Sequence, residues 1–352
     1  MRVLHLPMSA GGNAWGLSQA EKTLGMYSQV LVEENNWLNY KSDICLNLQG
    51  RNKYYKVFRK FYEFLKIRNK YDIYHFNFGT SLLNFPSYNL YCLDLPFYGG
   101  KKIITYNGCD IRQKYKTIDR VSFSPCHENY CNGGQCNNGI MDKRRVKQLE
   151  KVAKYVDHIF SLNPDLMYFL PKEKTTFLPY TIAGWNEINN EKYKIGDKIK
   201  IVHSPTNRCG KGSAYILNAL LNLQRKYKNI EIQIIEKVSY QEALNLYKRA
   251  NIVLDQVLAG WYGAFGVEVM KMGKPLGVFI REEDLRFVPK DMAKDILDSI
   301  ININPFNIED ELSKYLDNID LLYKKSQASV DYVNKWHNPL NVAKIVQNIY
   351  ES

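Results

Sequence analysis

Between Ile199 and Ile280 strand and helix alternate without a break, and nothing else in the chain limits its fold so strongly. IKIVHSP (199–205), IEIQIIE (230–236), NIVLDQV (251–257) and KPLGVFI (274–280) read as strands. SAYILNALLNLQRKY (213–227), SYQEALNLYKRA (239–250) and FGVEVMKMG (265–273) read as the helices between them. Alternation of this kind predicts a parallel sheet with helices on both faces.

The first half carries the same signal less regularly. RVLHLPM (2–8), VLVE (30–33), YDIYHFNF (71–78), KKIITYN (101–107) and HIFSLN (158–163) are candidate strands. A helix is expected from the glycine loop Ala10-Gly11-Gly12-Asn13 to about Tyr27, another over 51–70 and a third over about 142–155. The pattern breaks at LPYTIAGWNE (178–187). The expected organisation is an α/β domain over 1–180 with a cysteine-bearing insert at 109–140, a second over 181–336, and a closing helix over 337–352 packing back on the first. With 352 residues, each domain is large enough for its own core. Ligands of such sheets bind beyond the carboxyl ends of the strands.

No run approaches the roughly 20 apolar residues of a membrane span, and the N-terminal apolar run is short for a signal peptide. The expectation is a cytoplasmic protein. Seven cysteines argue against a disulfide framework. A net charge of +12 leaves nucleic acid, an anionic membrane or anionic small substrates as partners.

His203-Ser-Pro-Thr-Asn-Arg208-Cys-Gly-Lys211-Gly212-Ser213 runs from a strand end through two cations and two glycines into a helix. Free N–H groups at a helix start favour an anion, Arg208 offers a bidentate fork, and Lys211 a point charge. The other reading is a solvated basic turn. Gly260-Trp-Tyr-Gly-Ala-Phe-Gly-Val-Glu268 repeats the design and sets Glu268 in the first turns of a helix. There it would accept both hydroxyls of a ribose, or stand as a surface glutamate.

These two segments, IVLDQVLAGWYGAFGVEVMKMGKP and the closing HNPLNVAKIVQNIY resemble glycosyltransferase family 4. The resemblance implies a GT-B fold, two doubly wound Rossmann-like domains facing across a cleft. It also implies a nucleotide-diphosphate-sugar donor, transfer with retention and no catalytic metal. By that resemblance Arg208 and Lys211 bind the donor diphosphate, Glu268 the ribose, and the amides of Tyr262, Gly263 and Ala264 the sugar or phosphate. Gly11 and Gly12 match the family's N-terminal glycine loop, which otherwise reads as a plain turn. The chain departs from the pattern at Gly260, where the family has a glutamate, and at Asn107, where it usually has a histidine. Asn107 can hydrogen-bond a hydroxyl but cannot move a proton. Asp110 is an acceptor-side candidate or a helix cap, and His75 a general base or a core histidine.

Cys109, Cys126, Cys131 and Cys136 are candidate ligands of a structural zinc, with ordinary thiols or a disulfide as alternatives. The 51–70 helix sets eight basic residues among aromatics. It suits an anionic membrane surface, or it is a domain helix whose aromatic face is core. The function expected is glycosyl transfer to a saccharide or lipid-linked acceptor in surface polysaccharide or glycolipid assembly. A nucleotide-sugar 2-epimerase of the same fold is the alternative, and a zinc-stabilised basic nucleic-acid-binding module a more distant one.

Overall fold

The computed structural model describes residues 1–34, 40–190 and 192–352. In chain order the elements are β1 (Arg2–Leu6), α1 (Asn13–Thr23), β2 (Tyr27–Val32), β3 (Ile44–Cys45), α2 (Lys53–Ile67), β4 (Ile73–Asn77), β5 (Lys101–Tyr106), α3 (Lys114–Arg120), α4 (Ile140–Tyr155), β6 (His158–Ser161) and β7 (Thr175–Phe177). They continue as β8 (Ile199–His203), α5 (Arg208–Lys211), α6 (Ser213–Lys226), β9 (Ile230–Ile234), α7 (Tyr240–Lys248), β10 (Ile252–Leu254), α8 (Ala264–Lys271) and β11 (Leu276–Val278). Last come α9 (Lys290–Ser299), β12 (Ile301–Asn302), α10 (Ile308–Asp317), α11 (Asp320–Trp336) and α12 (Pro339–Glu351).

Two compact units result. The first holds Met1–Gln113, Asn138–Trp185 and Asn338–Ser352; the second holds Lys114–Asn137 and Asn186–His337. The cysteine-bearing insert, expected in the N-terminal domain, is therefore divided. Cys109 belongs to the first unit, while Cys126, Cys131 and Cys136 belong to the second. Within that second unit the insert packs against α5, and Tyr215 at the start of α6 hydrogen-bonds Glu128 at 3.5 Å.

The first sheet has the order β3-β2-β1-β4-β5-β6-β7, every pairing parallel. Chain direction across the sheet reverses between β1 and β4. The second sheet has the order β12-β11-β10-β8-β9, again all parallel, and reverses between β8 and β10. Central strands such as β4 are buried along their whole length, as a sheet covered on both faces requires. Leu4, Leu6, Leu31, Phe76 and Ile104 fill the first core, and Ile201, Leu220, Leu223, Leu254 and Leu312 the second. Each such fully buried side chain contributes about 1.5–3 kcal/mol through lost apolar surface.

Some elements differ from the sequence expectation. The first helix ends at Thr23, and the second strand begins at Tyr27 instead of residue 30. The stretch 281–336, where the sequence gives no strand–helix alternation, folds as a 3-10 helix, three α-helices and a two-residue strand. Among the described residues no helix is long and apolar enough to cross a membrane.

Candidate functional site

In the second unit the loops after β8 and β10 flank the point where the sheet reverses, the usual ligand crevice of open α/β sheets. Asn207 caps α5 by accepting from Gly210 N at 2.9 Å, which fixes the turn between the two cations. Lys211 Nζ bonds Asp255, a buried carboxylate just past the end of β10, and lies 5.6 Å from the Phe265 ring centre. The Val257 amide also donates to Lys211 O at 3.1 Å. These contacts tie the two loops together across the reversal. Arg208 is exposed and forms a fork to Glu236 at 2.8 and 2.5 Å. Both cations are thus placed at strand ends, each held by a carboxylate that an incoming anion would have to outcompete.

The segment after β10 is anchored from behind. The Tyr262 side chain is buried, hydrogen-bonding Tyr332 and, at 2.7 Å, His337 Nε2. Gln256 braces the loop through Trp261 O and the amides of Leu258 and Ala259. Gly263 then caps α8, whose first amides have no partner within the helix. Their positive dipole end favours an anion. Glu268 is buried on α8 and accepts a hydrogen bond from Tyr240 at 2.7 Å; burial raises its pKa to about 7. His203 donates through Nδ1 to Leu254 O at 2.9 Å, so Nε2 accepts from Ser213 at 2.8 Å. Burial lowers its pKa and keeps it neutral.

Gly260, where the resembled family carries a glutamate, has φ of +78°. A Cβ there would meet Arg281 Nη1 at 2.9 Å and Arg281 Cβ at 3.0 Å. The buried Arg281 donates to Phe123 O at 2.8 Å, so an arginine fills the space of the absent side chain.

The first unit uses its candidates differently. Gly11 and Gly12 adopt φ of +60° and +71°, and a Cβ on Gly12 would lie 2.7 Å from Ala183 Cβ. Close packing against residues 181–183, sealed by Asn13 Oδ1 accepting from Thr181 N at 2.9 Å, itself demands that glycine. Asp110 accepts from Asn107 N at 2.9 Å and Gly108 N at 2.6 Å, which braces the turn after β5; burial raises its pKa to about 6. Asn107 O accepts from Asn163 at 2.5 Å, while Asn107 Oδ1 is buried without a hydrogen-bond partner among the described residues.

His75, a general-base or core-histidine candidate, is placed inside the first unit. It is fully buried, with Nδ1 2.6 Å from Tyr350 of α12 and Nε2 2.6 Å from Thr105. Burial holds its pKa well below the usual value. Tyr350 also donates to the buried Glu21 at 3.0 Å, which pairs with His5 at 2.8 Å. This polar core docks the C-terminal helix.

Among the described residues no three His, Cys, Asp or Glu side chains are grouped to hold a metal ion. Sequence reading also missed Asp255, Glu236 and Tyr240, the partners of Lys211, Arg208 and Glu268. Asp255 carried a signal, a carboxylate directly after the apolar run of a strand; the other two carried none.

No family model and no curated protein matches the chain. Solved structures do. Sucrose-phosphate synthase from Thermosynechococcus elongatus aligns with a TM-score of 0.59 at 12% identity, covering 99% of this chain and 98% of its own. UDP-GlcNAc 2-epimerase from Methanocaldococcus jannaschii gives 0.55 at 14%, covering all of both chains. The spinosyn forosaminyltransferase SpnP gives 0.51 at 11%, again covering all of both. The fold is of the GT-B type, two parallel-sheet α/β domains, which glycosyltransferases and UDP-GlcNAc 2-epimerases share.

Proposed function

We propose that the chain transfers a glycosyl group from a nucleotide-diphosphate-sugar to a hydroxyl acceptor, with retention at the anomeric carbon. One observation carries the reading. Lys211, Arg208 and the start of α8 surround the reversal of the second sheet, with the buried Glu268 on α8. In the proposed reaction the bond from the anomeric carbon to the diphosphate oxygen breaks and the acceptor oxygen bonds that carbon. The acceptor proton passes to the leaving diphosphate. Lys211, Arg208 and the amides of Gly263 and Ala264 take up the charge that develops there, so the chemistry asks for no metal. Glu268 accepts the ribose hydroxyls. The acceptor is a saccharide or lipid-linked saccharide, as in surface polysaccharide or glycolipid assembly.

The shared fold makes a nucleotide-sugar 2-epimerase the second reading, supported by the Methanocaldococcus structure. Abstraction of the sugar's C2 proton needs a positioned base. Here His5, His75, His203 and His337 are fully buried, while His127 and His158 bond Ser124 and Thr176 at 2.9 Å each. Incubation with UDP-, GDP- and ADP-sugars in deuterated water separates the two. Release of nucleoside diphosphate dependent on an added saccharide supports transfer. Deuterium at C2 with a changed sugar and no acceptor requirement would replace it with epimerisation.

A further inference from the structure

The helix α2 is turned the opposite way from a core helix. Tyr54, Phe58, Tyr62 and Leu65 are 76%, 67%, 55% and 49% exposed, and Phe61 joins them. The inward face carries charge instead: Glu63 is buried and bonded by Arg59 at 2.7 Å, and Lys60 pairs with Glu33 at 2.6 Å. Phe64 and Ile67 are the apolar residues of the helix that join the core. At about 100° per residue the exposed aromatics and Leu65 fall within an arc of roughly 120°. Arg59 and Lys66 border this arc on one side and Arg68 on the other. Glu63, the helix's single acid, is buried away from it.

An open cavity of about 470 Å³ adjoins the same helix, walled by Tyr54, Val57, Leu48, Phe85 and Tyr88. Lys53, Lys56 and Lys60 also reach it, as do Glu33 and Glu34. Phe97 is exposed two residues before Gly99, whose amide donates to Arg68 O at the end of α2.

Water is a poor cover for such a face. We propose that α2 docks the protein on an anionic phospholipid bilayer, its aromatic arc at the headgroup boundary and its basic borders against lipid phosphates. Charge decides the occupant. A protein partner or a second copy is matched by an apolar face alone, whereas an apolar arc edged by cations on both sides fits a layered surface, apolar beneath and anionic above. A second copy of this face would bring like charges together. The inference stands apart from the transfer chemistry, since none of these residues belongs to the donor site.

Co-sedimentation of the full chain with phosphatidylcholine vesicles, with and without phosphatidylglycerol, tests it. Binding is expected only with phosphatidylglycerol, weakening at high salt. F58S combined with F61S, and separately K66E combined with R68E, should each reduce it by at least about tenfold, with the circular-dichroism melt and nucleotide binding of F58S/F61S unchanged. Equal binding by wild type and both variants overturns the proposal. So does an absence of vesicle binding beside a dimer that F58S/F61S dissociates, which would assign the face to a second copy.

Discussion

The two sheets share one design and use it in opposite ways. Each reverses direction at its centre and carries a glycine loop beyond that point. In the first unit the polar groups there are spent on the fold itself. Asp110 braces backbone amides, Asn13 holds Thr181, and His75 docks the C-terminal helix. In the second unit the corresponding groups are charged and held by exchangeable ion pairs, Lys211 with Asp255 and Arg208 with Glu236. Groups locked into neutral backbone bonds cannot be redirected without unfolding a turn. A lysine on a carboxylate can be redirected by a better anion. The contrast is between charged groups that can be redirected in the second unit and groups fixed within the fold in the first.

The largest effect should come from Lys211→Ala. Loss of the point charge should weaken nucleoside-diphosphate binding by about 100-fold, measured by calorimetry. The same change leaves Asp255 buried without its cation, at a cost of about 3 kcal/mol or more in stability. Lys211→Ala with Asp255→Asn should recover most of the stability and none of the affinity. Recovery of affinity in the double variant would break the contrast, because the lysine would then be a structural cation.

Glu268→Gln comes next. Burial holds the carboxyl at about 7, above its ordinary 4.5. Between those values the folded protein keeps a proton that the unfolded chain releases. Stability therefore falls as pH rises through that window, and the loss is complete above about 7. The glutamine variant lacks this dependence and should gain up to about 3 kcal/mol at pH 8 relative to its difference from wild type at pH 4. Nucleoside affinity should drop about tenfold, since an amide cannot accept from two ribose hydroxyls as a carboxylate does. Thermal melts across pH and calorimetry read the two effects separately. A variant with unchanged affinity would remove Glu268 from the site.

Asp110→Ala sharpens the comparison from the other unit. Two backbone amides lose their acceptor, so stability should fall by about 1–3 kcal/mol. Nucleotide affinity should not change. If calorimetry instead shows weakened binding, the first unit does more than brace its own loops.

The smallest effect belongs to Arg208→Ala. The side chain is exposed and its fork to Glu236 is solvent-screened, so affinity for a diphosphate should fall by about five- to tenfold with no measurable change in melting. A loss as large as that of Lys211→Ala would reverse the ranking of the two cations.

The second sheet was legible because its strands and helices carry long, unbroken periodic patterns. Arg208, Lys211 and the start of α8 were legible for the same reason, since they sit where one period gives way to another. The pairings themselves, Lys211 with Asp255 44 residues on and Arg208 with Glu236 and Tyr240 with Glu268 each 28 residues on, became visible only when the fold brought those elements together; no local pattern encodes such a meeting. The two readings of His75 stayed open because a histidine at the end of a strand looks the same in sequence whether solvent or Tyr350 lies beyond it. The α2 face escaped a decision because periodicity gives the existence of an apolar stripe but not the side of the helix that faces the core.

Calorimetric titration of the wild-type chain and Lys211→Ala/Asp255→Asn with UDP, GDP and ADP, without added metal, tests the central claim most directly. The account predicts saturable binding of one of these nucleotides to wild type, weakened at least about 100-fold in the double variant while its melt stays close to wild type. Equal binding by both proteins, or binding of none by the folded wild type, would contradict it.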